Sequence, residues 1–247
     1  MEFLRAFTYM FKSKNWYIAL LIGIILEIPT FGLHYFVKHA SQTPMDNQYY
    51  IIMLVYLISI PINLLISTLI GGYYLVNANR RTINPDAELL QWSQFKDIIL
   101  TGLKSMGASF IYCIPYMLIS LVSIVLYFTV MFSTMSKPTY NYMIIPGFLG
   151  IIMFVTITTI ATPAFVTNLK FKSYFNFKLM FNLVKNNLKG FVILVTYSII
   201  VSLIAGIASL FNNYITLVCT PILAFYFTVV KSELVAMYIR GAAKNNQ

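Results

Sequence analysis

Few side chains in this sequence are placed to do chemistry, and the most conspicuous is a carboxylate. Glu27 stands inside "LLIGIILEIPTFGLHYF", residues 21–37, an almost unbroken apolar run. Counted from Trp16 at 1.5 Å per residue, it lies roughly 16 Å along a helix, near the middle of a bilayer. A charge there costs at least about 2.5 kcal/mol, so Glu27 must face protein or water, hold a proton, or pair with a cation. Lys231, in "TVVKSELVAMYIR", is the cation inside an apolar run. It sits six residues before Met237, roughly 9 Å inside the end of its helix. A Glu27–Lys231 pair would clamp the first long helix to the last. Glu233, two residues further on, points to another side of the same helix. The chemistry open to this group is an ion or proton relay. The structural alternatives are a polar clamp, or a Lys231 that snorkels to the interface. The residues weigh toward a structural role.

Nothing else in the chain is arranged for catalysis. It has no glycine-rich phosphate loop, HExxH, GxSxG or DxD pair, and each of those chemistries needs its residues at fixed spacing. His34 and His39 have only Asp46 nearby in sequence, too few ligands for a metal. Cys113 and Cys219 lie in apolar runs with neither CxxC spacing nor a neighbouring histidine, as core cysteines do. The expectation is a protein that is not an enzyme and uses no metal or cofactor.

The composition explains where such residues must sit. Of 247 residues, 59% are hydrophobic and 10% charged, against about 25% charged in a soluble domain. A soluble fold this apolar would expose large patches and aggregate; a bilayer is the better solvent. The net charge of +10 would suit a nucleic-acid partner only if it formed a basic patch on a soluble face. Here the basic residues fall between apolar runs, so no nucleic acid is expected.

A spanning helix takes about 20 mostly apolar residues. Six stretches qualify: 17–37, 50–77, 106–133, 143–166, 190–212 and 214–237. The last two meet at "FNNY", 211–214, a tight hairpin turn. The first run is read as a retained helix, because several aromatic residues precede it and no clean small-residue cleavage site follows. With six spans, all of the 17 Lys+Arg except Lys38, Lys137 and Lys231 fall on one side. By the positive-inside rule that side, with both termini, is cytoplasmic. Proline recurs in the spans (Pro29, Pro61, Pro115, Pro146, Pro163, Pro221) and can kink them. Gly71 and Gly72 allow a bend or a close helix approach.

The cytoplasmic segments carry their own pattern. In 172–189, Phe177, Met180, Phe181, Val184 and Leu188 share one helical face, and Lys178, Asn182, Lys185 and Lys189 the other. That is the signature of a helix lying flat at the interface with lysines toward lipid phosphates. Phe3, Phe7, Met10 and Phe11 oppose Arg5, Thr8 and Lys12 in the same way; Phe95, Ile99 and Leu103 oppose Asp97, Thr101 and Lys104 more weakly. The lipid-headgroup contacts expected are therefore Arg5, Lys12, Lys178, Lys185 and Lys189. The fold expected is an all-α membrane protein: six transmembrane helices with three cytoplasmic interfacial amphipathic helices, both termini cytoplasmic. It forms one domain, 1–247, divisible into three helical-hairpin units, 1–79, 80–166 and 167–247.

Several stretches resemble the DUF4013 family of uncharacterised prokaryotic membrane proteins. "FLRAFTYMFKSKNW" resembles its aromatic-rich opening, and "GGYYLVNANRR" its glycine-tyrosine segment followed by basic residues. "ELLQWSQFKDIILTGLK" is similar to its leucine-proline-x-tryptophan turn and following helix, with Gln91 for the usual proline and Thr101 for the aspartate. "IYCIPYML" and "TPAFVTNLKFKSYFNFKLMF" match its later proline segments. The resemblance implies a multi-pass prokaryotic membrane protein and no particular activity. Its most typical stretch makes Trp92, Phe95 and Lys104 the expected partner surface, with Trp92 equally suited to anchoring at the interface. The function expected is a non-enzymatic scaffold or accessory subunit of the cell membrane. It would bind anionic lipid, another membrane protein or a second copy. The alternative is a small-solute or ion transporter using Glu27.

Overall fold

The computed structural model describes residues 2–40, 48–134, 150, 153, 156–210 and 214–245. It is all-helical, with no strand among the described residues. In chain order the helices are α1 (Glu2–Lys12), α2 (Trp16–Ala40), α3 (Gln48–Ile83) and α4 (Phe95–Thr134). After a π-helical turn at Thr156–Ala161 come α5 (Thr162–Val166), α6 (Phe177–Asn186), α7 (Leu188–Leu210) and α8 (Tyr214–Lys244).

Among the described residues, four segments are long and apolar enough to cross a membrane: Met53–Ile83, Trp92–Val125, Leu188–Ala205 and Cys219–Lys244. Trp16–Pro29 is a shorter apolar stretch. Helices of this kind are what a multi-pass membrane protein requires. Most of residues 143–155 of the expected span at 143–166, the turn at 211–213, Asp46 and Lys137 lie outside the described residues, as do the side chains of His34, Lys38 and His39.

The buried core is concentrated at the end of the bundle where α3 and α8 terminate, hereafter the basic end. One cluster joins Tyr74, Leu75 and Ala78 of α3 to α5, to Met180 and Leu183 of α6, to Leu194 and Tyr197 of α7 and to Val230–Ala242 of α8. The other joins Tyr9 and Met10 of α1 to Ala19, Tyr73, Leu90, Ile98 and Phe225. Helix α8 contributes to both, and it packs so closely on α2 that a Cβ at Gly23 would overlap the Phe225 ring. Away from this end the helices bare their apolar residues: Leu54, Leu57, Leu64 and Leu65 on α3, Phe110, Leu118 and Leu121 on α4, Ile200 and Leu203 on α7. A surface of this kind is unfavourable in water and at rest in hydrocarbon.

One sequence expectation is corrected here. Residues 95–104 are not a separate amphipathic helix; they are the first turns of the 40-residue α4. The reason is a backbone crossing. A Cβ on Gly72 would fall on the Ile98 carbonyl, and one on Gly102 on the Thr68 carbonyl, so α3 and α4 meet through two glycines and α4 is held from its start. Gly71 faces open space, so of the adjacent glycines only Gly72 is needed. Helices α2, α3, α4 and α8 run through Pro29, Pro61, Pro115 and Pro221. Among the described residues, the helix changes type at Pro163. Proline has no N–H and crowds the carbonyl four residues back, which widens the preceding turn. The Thr162 hydroxyl donates to the Ile157 carbonyl at 2.7 Å.

Candidate functional site

The densest polar arrangement among the described residues lies at the basic end, between α1, α3, the 84–91 segment and α8. Residues 77 and 81 are one turn apart on α3 and face α8 together. Arg81 Nε donates to Glu233 Oε2 at 2.6 Å, with both side chains sealed from solvent. Arg240 Nη2 reaches the other carboxylate oxygen at 3.2 Å, and its Nη1 donates to the Arg81 carbonyl. Arg81 Nη1 donates to the Ala87 carbonyl at 3.0 Å, and its guanidinium lies 4.1 Å from the centre of the Tyr9 ring. Every oxygen of the buried carboxylate therefore has a charged donor, the condition under which a buried ion pair survives its desolvation.

A neutral chain of bonds continues the network. The Tyr9 hydroxyl donates to Asn77 Oδ1 at 3.3 Å; Asn77 Nδ2 donates to Ser232 Oγ at 2.6 Å; Leu90 N–H donates to Asn77 Oδ1 at 3.1 Å. The Tyr73 hydroxyl donates to the Leu90 carbonyl at 2.9 Å. Burial pushes the Tyr9 phenol up to about 12, against the opposing pull of Arg81. The whole ties the N-terminal helix and the 84–91 segment to α3 and α8, and it has the character of a lock rather than a relay.

The expected Glu27–Lys231 pair is not formed among the described residues; the clamp is made by Glu233, with Arg81 and Arg240. Glu27 is half-buried on α2. Lys231 turns its ammonium over the Tyr74 ring, 5.8 Å from its centre. In the sequence Arg81 lies among the loop charges; α3 runs far enough to carry it inside. The readable signal was the Asn77/Arg81 spacing on a helix that continues from an apolar run, opposite a glutamate set among apolar residues.

The expected surface residues divide. Lys12, Lys178, Lys185 and Lys189 are exposed. Arg5 is exposed but bridges Asp86 at 2.9 Å. Phe95 and Lys104 are exposed. Trp92 is committed to the chain: it stacks on Tyr73 at 4.5 Å and packs on Phe225, and its Nε1 donates to the Ala19 carbonyl at 3.4 Å. A cleft of about 240 Å³ opens beside it, lined by Ser13, Asn15, Ile18, Ile22, Glu88 and Gln91 among others.

Helix α6 presents three sides. Met180 and Leu183 are buried against the bundle, Phe177 and Phe181 are exposed, and Lys178 and Lys185 follow on the far side; Leu188 and Lys189, expected on the same helix, are exposed but lie past Asn187 at the start of α7. At about 100° per residue the exposed apolar stripe lies between the buried and the basic ones. Asn176 caps α6 by accepting from Leu179 N–H at 3.0 Å. Asn187 caps α7 through Gly190 N–H and donates to the Tyr238 carbonyl at 2.9 Å, which fixes the corner between α6 and α7 on α8. On α1 the buried side is Ala6, Tyr9 and Met10, leaving Leu4 and Phe11 exposed beside Arg5 and Lys12; the apolar face expected from sequence is thus turned partly outward.

No curated protein and no solved structure matches the chain. Residues 52–214, which include the glycine crossing, Arg81, Trp92 and all of α6, match a family of proteins of unknown function. The chain belongs to that family, DUF4013.

Proposed function

We propose that this protein is a non-enzymatic scaffold or accessory subunit of a prokaryotic cell membrane, spanning it six times with both termini in the cytoplasm. Its basic end lies at the cytoplasmic interface, where α1 and α6 rest on the bilayer and hold anionic lipid or a membrane-protein partner. The observation that carries this reading is the three-sided α6. An exposed stripe of Phe177 and Phe181 between a buried face and the Lys178/Lys185 face, with Leu188 and Lys189 exposed just beyond it at the start of α7, fits a helix with its aromatics in the acyl boundary and its lysines among phosphates. The sealed Arg81–Glu233–Arg240 network supports a static role, since it supplies a rigid frame for that surface.

The test compares two charge removals in the full chain, purified with its native lipids. K178Q/K185Q/K189Q should lose most of the co-purifying phosphatidylglycerol and membrane-protein partner, whereas E27Q should keep both. If E27Q instead abolishes a solute flux in proteoliposomes while the triple variant behaves as wild type, the scaffold reading falls and transport replaces it.

A further inference from the structure

Among the described residues a few buried polar atoms lack a hydrogen-bond partner, and one of them, the Tyr74 hydroxyl, is on a ring that lies beside a charge. Arg81, Lys231 and Arg240 stand on α3 and α8 against Glu233 alone, and both oxygens of Glu233 are taken by the arginines. Lys231 has no carboxylate within ion-pair distance among the described residues. Its ammonium rests over the face of Tyr74, a contact near the outer limit for such attraction. Tyr74 is itself nine-tenths buried, and its hydroxyl has no hydrogen-bond partner. Of the other phenols in the same core, Tyr197 donates to the Phe227 carbonyl at 2.7 Å and Tyr174 shares a hydrogen bond with Ser105, while the Tyr238 hydroxyl is also unpartnered.

Position matters as much as charge. Tyr74 is two turns of α3 before Arg81, about 10 Å further into the spanning segment. Side chains on a helix lean toward its N-terminus, so the lysine stem on α8 leads away from the basic end, and its reach to Tyr74 shows that it takes this direction. Lys231 is half-buried where Arg81 is sealed. The Lys231 ammonium and the enclosed Tyr74 hydroxyl, on facing helices, are two donors without an acceptor.

We infer that Lys231 and Tyr74 form a binding site for one oxyanion, a phosphate or carboxylate group, just inside the sealed network. The ammonium supplies charge and the Tyr74 hydroxyl a directed hydrogen bond. The same chemistry serves a lipid headgroup drawn down along the bundle and a free small anion. The inference does not depend on the scaffold reading, because it concerns neither α6 nor its lysines.

The experiment uses the full chain in phosphatidylcholine nanodiscs, with thermal unfolding titrated in two arms: sodium phosphate in one, phosphatidylglycerol added to the disc in the other. Wild type should be stabilised saturably in at least one arm. Phosphate alone sufficing identifies a free anion; a response only to phosphatidylglycerol identifies a headgroup. K231M should weaken the apparent affinity by about tenfold to a hundredfold and Y74F by about tenfold, the range for losing a charged and a neutral hydrogen bond. K231R should retain most of it, and K178Q/K185Q/K189Q should leave the saturable response in place. Y74F keeps the ring and its packing, so it decides the matter even where K231M fails to fold. The proposal is overturned if wild type responds in neither arm, or if K231M or Y74F responds as wild type does.

Discussion

The Arg81 guanidinium and the Glu233 carboxylate meet at 2.6 Å in a place closed to solvent, joining α3 to α8 across 152 residues of chain. Removing one partner leaves the other buried and uncompensated, at a cost of about 3–5 kcal/mol. E233L should therefore strongly lower the unfolding temperature in detergent. A combined R81M/E233L, which removes both charges, should recover a large part of that loss. Equal destabilisation by the single and double variants would show that the pair is not a coupled unit.

The two glycines of the α3–α4 crossing make a sharper contrast. G72A or G102A places a methyl group on opposing backbone, and overpacking of this kind costs about 1–3 kcal/mol. G71A meets nothing within 4 Å and should be neutral or slightly stabilising, since alanine is the better helix former. Thermal unfolding of the three variants side by side checks this, and a G71A as damaging as G72A would contradict the crossing.

Tyr9 gives the network a pH limit. Its phenol is raised by burial from an ordinary 10 to about 12, so the folded state holds the proton more tightly than the unfolded chain. The stability from neutral Tyr9 is full below pH 10 and is lost as pH climbs through 10 toward 12. Y9F keeps the ring under Arg81 but loses the bond to Asn77, costing about 1 kcal/mol near neutral pH. The deficit of Y9F relative to wild type should shrink as pH rises past 10, and a deficit constant with pH would remove Tyr9 from the account.

Glu27 forms no ion pair among the described residues, and the clamp does not include it. E27Q should fold and unfold within about 0.5 kcal/mol of wild type, as for a substitution that breaks no network. A loss of several kcal/mol in a thermal melt would mean that Glu27 has a structural partner after all.

The sequence carried the class of fold plainly, because an apolar excess this large has few solutions besides helices in lipid. It was less informative about which polar residues meet. Glu27 and Lys231 stood out because their neighbours in sequence are apolar, but burial is set by packing between distant helices. Arg81 follows the polar "NAN" and reads as a loop charge, yet the 36 residues of α3 carry it against α8. The angle that separates Glu233 from Lys231 on α8 turns it toward Arg81. Residues 95–104 have a weak amphipathic pattern either way; the Gly72–Gly102 crossing, a long-range contact, makes them the start of α4. The apolar faces of α1 and α6 were legible as faces, but not which part of each the bundle would take.

The account rests on the basic end facing the cytoplasm, and a labelling experiment tests that most directly. In a C113A/C219A background, single cysteines at Lys178, Lys244, Lys38 and Lys137 would be exposed to a membrane-impermeant maleimide, before and after the cell membrane is opened. K178C and K244C should label only after opening, and K38C and K137C before it. Labelling of K178C and K244C on sealed cells would place the basic surface outside and contradict the account.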